Sequence, residues 1–195
     1  MPMESASAEP RELAALQAHV RAGGRPKYLF FWGHTPADAS RVGKECLSQW
    51  NPAAFEVGGV RYPTAEHFMM AEKARLFGDH EAAGRVLRAP HPGAAKQAGR
   101  EVRGFDEEVW AERRFGIVVA GNHARFSQHP ELRRFLLGTQ ARVLVEASPV
   151  DRVWGIGLAA DDARAADPLA WEGLNLLGFA LMEVRASLAG AEPAG

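Results

Sequence analysis

Apolar and polar positions follow two rhythms along this chain, one helical and one of short strands. Within residues 9–21, Leu13, Leu16 and Val20 recur at helical spacing, and Gly23-Gly24-Arg25-Pro26 ends the segment. This predicts an N-terminal accessory helix. Residues 28–32 form a short aromatic run that reads as a strand. Over residues 55–62, apolar and polar positions alternate around Gly58-Gly59, the pattern of a tight hairpin. Pro63 and Thr64 then break the alternation, and a helix is predicted over about 65–77 with Thr64 as its N-cap. Asp79 caps a second helix, to about residue 88, and Pro90-His91-Pro92 separates it from a third over 93–102. The longest helical stretch spans 106–127, with Val109, Trp110, Phe115, Val118, Val119 and Phe126 as its apolar face. A short helix over 131–137, a buried strand over 142–146, a polar loop over 161–167 and an apolar helix over 171–188 complete the series. The sum is an α+β fold, a mainly helical single domain with a small antiparallel sheet. Residues 1–26 read as an extension carrying the accessory helix, 27–189 as the domain and 190–195 as a tail.

Composition narrows the classes. The chain has 195 residues, 47% hydrophobic and 24% charged, which suits one ordinary globular core. A formal net charge of -1 argues against a protein held on nucleic acid by bulk electrostatics. No apolar run approaches a membrane span, and residues 1–10 lack the basic and apolar blocks of a signal peptide. The single cysteine, Cys46, excludes an internal disulfide framework and a multi-cysteine zinc site. The expectation is a cytoplasmic protein without a membrane partner. Of its 23 basic residues only Lys27, Lys44, Lys73 and Lys96 are lysines. A lysine in a crowded segment therefore stands out, because an ammonium can lose its proton and a guanidinium cannot.

Standard catalytic motifs are absent: no phosphate loop, nucleophile elbow or metalloprotease helix occurs. The seven histidines show no metal-ligand spacing, and neither a metal nor a cofactor is expected. Polar residues packed among aromatics remain. Glu66 falls in the first turn of the 65–77 helix, where the macrodipole favours a carboxylate. Lys73 lies two turns further on, on the same face. Periodicity alone is met by a solvated Glu66, a snorkelling Lys73 and a packing histidine at His67. At residues 144–157 a strand runs into a Pro/Gly-rich loop with Asp151 and Trp154. These either hold a ligand or satisfy turn amides and plug the core. Trp110 and Arg113 are helix neighbours, and Asn175 sits among glycines where it can pin a loop or a ligand.

Taken in order, the segments resemble the NADAR family of YbiA-like N-glycosidases. The matching series begins with Phe31-Trp32-Gly33-His34, Leu47-Ser48-Gln49-Trp50 and Tyr62-x-Thr64-x-Glu66-His67-x-x-x-Ala71-x-Lys73. It continues through Gly99-Arg100, Trp110, Arg125-Phe126, Leu144-Val145-Glu146, Asp151-x-x-Trp154-Gly155-x-Gly157 and Gly173-x-Asn175-x-Leu177-Gly178. The resemblance implies hydrolysis of an N-glycosidic bond between ribose C1 and an exocyclic amine. Its two substrate groups are phosphoribosylamino-pyrimidine intermediates of riboflavin synthesis and ADP-ribose attached to guanine. The partner is accordingly a small phosphoribosyl or ADP-ribosyl molecule, or ADP-ribosylated nucleic acid. The family's functional positions fall on Glu66, Lys73, Trp110, Asp151 and Trp154. On that basis Lys73 is expected to be a nucleophile, Glu66 to move protons and Asp151 to place water or ribose hydroxyls. Trp110 and Trp154 would sandwich the base, with Arg100, Arg113 and Lys44 as candidates for phosphate. A carboxylate pair of Glu66 and Asp151 is the competing mechanism. A non-catalytic nucleotide or ADP-ribose binding module is the competing function.

Overall fold

The structure, a computed structural model, describes residues 12–35, 38 and 40–190. The first residues of the expected accessory helix and the last of the expected tail lie outside them. Within the described residues, α1 spans Leu13–Arg21 and buries Leu16. Strand β1, Tyr28–Phe31, leads through a 3-10 turn at Lys44–Leu47 to a hairpin of β2, Phe55–Val57, and β3, Val60–Tyr62. Gly58 and Gly59 turn this hairpin at φ of 58° and 76°, a conformation that side chains resist. Helices α2 (Ala65–Leu76), α3 (His80–Leu87), α4 (Pro92–Arg100), α5 (Glu107–Gln128) and α6 (Pro130–Gly138) follow. Strand β4, Val143–Glu146, and helix α7, Leu176–Gly190, close the order. Among the described residues no helix is long and apolar enough to cross a membrane.

The caps at Thr64 and Asp79 act as the sequence predicts, each accepting a hydrogen bond from a first-turn amide, and Asp106, expected as the first residue of the longest helix, caps α5 in the same way. Thr64 does more than cap. Its hydroxyl lies 2.8 Å from His67 Nδ1, and His67 Nε2 lies 3.1 Å from Ala89 O. This is the satisfied packing histidine, and burial lowers its pKa. Thr64→Ala is expected to cost on the order of 2 kcal/mol, because the cap and the histidine partner are lost together. A urea midpoint reads this loss, and Thr64→Ser should restore most of it.

Two features depart from the sequence reading. The expected antiparallel sheet is the β2–β3 hairpin, and a second, parallel ladder joins β1 to β4 with Phe31 opposite Glu146. Partners so distant along the chain leave no local pattern to read. The closing helix starts at Leu176 rather than 171. The amides of Glu172, Leu174, Asn175, Leu176 and Leu177 bond instead to carbonyls of residues 152–156. Asn175 adopts φ 54°, which ends any helix before it. Its side chain accepts from Glu146 N and donates to Leu144 O, both at 2.9 Å, and so clasps β4. Helix α2 lies at the centre, against α3, α4 and α5, while α7 packs on α5, α6 and β4.

Candidate active site

Glu66 and Lys73 project from one face of α2 into a cleft of about 420 Å³. Helix α4 contributes Lys96 and Arg100, α5 contributes Glu107, Trp110 and Arg114, and Phe105 precedes α5. The opposite wall is the loop of residues 150–154, with Asp151, Arg152 and Trp154. Six expected residues thus meet in one cleft: Glu66, Lys73, Asp151, Trp110, Trp154 and Arg100.

Three others lie elsewhere. Arg113 points to a groove between α2 and α5 beside Glu72 and Arg75. It is Arg114, one position on, that shares the flank of Trp110 and Glu107 and lines the cleft. Lys44 is exposed on the 3-10 turn and is not among the lining residues. Asn175 is fully buried in its clasp on β4, where it pins the loop rather than a ligand.

Glu66 is 3% exposed and its Oε1 has no hydrogen-bond partner. Burial pushes its pKa up to about 7. Lys96, a hydrogen bond from the Trp50 side chain and Arg100 oppose that rise, while Asp151 adds to it. The backbone leading to Trp50 is held by an otherwise structural arginine. Arg125, fully buried, donates to Ser48 O at 2.8 Å, Cys46 O at 3.0 Å and Asn122 Oδ1 at 2.9 Å. Asn122 in turn donates to Gln49 Oε1 at 2.7 Å, and Gln49 O accepts from Glu66 N at 3.0 Å. The buried guanidinium therefore fixes the backbone against which Glu66 is held.

Lys73 is half-buried, its Nζ 4.2 Å from the Phe105 ring centre and 5.6 Å from that of Trp110. The aromatic faces favour the ammonium, an effect of about 0.5–1 kcal/mol where water has access. Desolvation works the other way and prevails. With Arg100 adding to it and Glu107 opposing, the lysine pKa is lowered. Asp151 Oδ1 accepts from Val153 N at 2.9 Å and Trp154 N at 2.8 Å, so this oxygen satisfies turn amides. Neither bond engages Oδ2.

The sequence reading missed a third acid. Glu146, at the end of β4, has a buried Oε2 without a partner. Burial first, then the charges of Asp151 and Glu66, raise its pKa to about 8, with Lys96 opposing. Lys96 was missed as well, although its scarce residue type and its position four before Arg100 on α4 were legible. Trp50, Phe105 and Arg152 carried no such sign. Among the described residues no group of three or more His, Cys, Asp or Glu side chains is placed to hold a metal ion.

Chemically, the cleft pairs a proton-holding buried carboxyl with an amine biased toward its neutral form. Cations and indoles surround them. A family model described as NADAR domain matches residues 30–189. The chain is 41% identical over 164 residues to the N-glycosidase R617 of Acanthamoeba polyphaga mimivirus, covering 82% of this chain and 95% of that one. N-glycosidase YbiA of Escherichia coli is 32% identical over 134 residues, 69% of this chain and 75% of the relative. An NMR structure of the Escherichia coli protein YbiA superposes with a TM-score of 0.67 at 27% identity, covering 85% and 86% of the two chains. The chain is also 34% identical over 140 residues to the chloroplastic riboflavin biosynthesis protein PYRR of Zea mays, covering 68% of this chain and 21% of that protein.

Proposed function

The chain belongs to the NADAR domain family, and we propose that it is an N-glycosyl hydrolase cleaving the bond between ribose C1 and an exocyclic amine of a base. The names of its relatives R617 and YbiA support the reaction class. The observation that carries the reading is the orphaned carboxyl of Glu66 in the same cleft as the half-desolvated amine of Lys73. A mere binding module has no need of a deprotonatable amine beside carboxyls.

An exocyclic nitrogen can push its lone pair toward C1. The bond from C1 to the ring oxygen then breaks, that oxygen takes a proton, and C1 becomes an imine. Neutral Lys73 Nζ adds to C1. A proton moves to the base nitrogen, which leaves as a free amine while the lysine keeps C1 as its own imine. Water hydrolyses that imine, returning the lysine and releasing the sugar as an aldehyde that recloses. Glu66, titrating near neutrality, holds and delivers protons along this path. Asp151 presents its unengaged Oδ2 to ribose hydroxyls or the incoming water. Trp110 and Trp154 offer the base flat apolar surfaces. Lys96, Arg100, Arg114 and Arg152 supply the positive charge that phosphate oxygens require.

The substrate is either a phosphoribosylamino-pyrimidine or an ADP-ribose linked to guanine. The relative named for riboflavin biosynthesis supports the first. Turnover of both, followed by chromatography of the free base and by a reducing-sugar assay, is expected to show one base and one sugar per bond cleaved. Binding of either compound with no base released would leave the chain a binding module.

A further inference from the structure

The proposed reaction gives Phe105 no task. Its ring is 43% exposed, yet the ring centre lies 4.2 Å from Lys73 Nζ. It stands on the short connection between α4 and α5, and that connection is pinned. Asp79, the buried N-cap of α3, accepts from Arg103 N at 2.9 Å, from Arg103 Nε at 3.2 Å and from Arg103 Nη2 at 2.9 Å. Arg103 Nη2 also donates to Glu81 Oε2 at 2.9 Å. The Phe77 ring meets that of Phe105 edge to face, with 5.3 Å between centres. Phe77 packs in turn on Ala74, Ala82, Ala83 and Val102. The chain is thus clamped to a helix cap two residues before Phe105, and the ring itself leans on the end of α2.

A ring held over an amine acts on it in two opposed ways. Its π-face draws the ammonium. Its bulk keeps water from the nitrogen, which favours the neutral amine. At Lys73 the second effect is the larger, since desolvation is the main cause that lowers its pKa. Trp110, 5.6 Å from Nζ and 7% exposed, is the inner ring, and Phe105 is the outer one. The charges around the amine are of both signs. Glu107 on α5 favours the ammonium and Arg100 on α4 opposes it. Glu66 on α2, Arg114 on α5 and, from the facing loop, Asp151 and Arg152 line the same cleft. We propose that Phe105 is a positioning residue that acts through Lys73: clamped by Arg103 and Asp79, it covers the amine from solvent and keeps it in the uncharged form that attacks C1. The inference rests on the reading of Lys73 as the nucleophile of an N-glycosidase.

Two substitutions separate the cover from the π-face. Phe105→Ala removes both, and water reaching the nitrogen is expected to raise the Lys73 pKa by about one unit. Turnover at about pH 6 should then fall about tenfold, with the gap to the parent closing as rising pH strips the ammonium of its proton. Phe105→Leu keeps an apolar cover without a π-face, and at about pH 6 should turn over at least as fast as the parent. Competitive acetylation of the whole chain, read by mass spectrometry of the Lys73 peptide, follows the same titration with no substrate present. Its midpoint should rise in Phe105→Ala and not in Phe105→Leu. A loss in Phe105→Ala that is equal at every pH marks a substrate contact and overturns the proposal. So does a midpoint that stays put in Phe105→Ala or rises equally in both variants. Failure of the N-glycosidase reading looks different: neither parent nor variant hydrolyses an N-glycoside, and the acetylation midpoints alone decide whether Phe105 covers the amine.

Discussion

Glu66→Gln is expected to lower kcat by about 10² to 10⁴, the range for loss of a positioned acid or base, while making the fold more stable above pH 7. The two effects share one origin. Glu66 titrates at about 7 in the fold against an ordinary 4.5. Between those values the folded chain binds more protons than the unfolded chain, so stability falls as pH rises through the window. Below pH 4.5 the carboxyl is protonated in both states and contributes no difference. Full ionisation costs roughly 3 kcal/mol at 1.36 kcal/mol per unit. Glutamine keeps the shape of the neutral acid and cannot ionise. The variant and the parent should therefore melt alike near pH 4 and diverge near pH 8, the variant melting higher. Glu146, raised to about 8, steepens the parent's decline with the same sign. Equal melting curves at pH 8 would mean that Glu66 is not the buried proton holder described above.

Lys73→Arg is expected to reduce turnover by at least about 10³-fold and to end covalent trapping by borohydride. Arginine preserves the positive charge over Phe105 and Trp110, so a role in binding anions or in cation–π packing would survive the change. It cannot present a neutral amine. Borohydride added with substrate should convert the lysine imine to a stable secondary amine. Mass spectrometry would find that adduct on Lys73 and not on Lys96, the other lysine in the cleft. Hydrolysis retained by Lys73→Arg would leave Glu66 and Asp151 as a carboxylate pair acting on an oxocarbenium-like transition state.

The parts of this molecule that were legible in sequence are those set by neighbours within a few positions. The Gly58-Gly59 turn, the caps at Thr64 and Asp79, and the shared face of Glu66 and Lys73 all follow from local chemistry. The parallel β1–β4 ladder, the late start of α7 and the acid cluster completed by Glu146 depend on segments far apart in the chain. Arg113 and Arg114 show where the boundary lies. A helical wheel centred on Trp110 places them on opposite flanks, and only the packing of α2, α4 and the 150–154 loop decides which flank is the cleft.

The grip of Asn175 bears on how a ligand enters. Its side chain ties the carbonyl of Leu144 to the amide of Glu146, and its own backbone amide bonds Gly155 O. At Gly178, in the first turn of α7, an added methyl carbon would fall 2.0 Å from Leu144 O, so helix and strand touch backbone to backbone. The wall bearing Asp151 and Trp154 is thereby riveted to the middle of the molecule and has no hinge of its own. To swing aside it would have to unfasten a strand and a helix together, an event of high free energy. Selection among ligands on that side therefore comes from the shape of a rigid slot, not from a gate that shuts behind them.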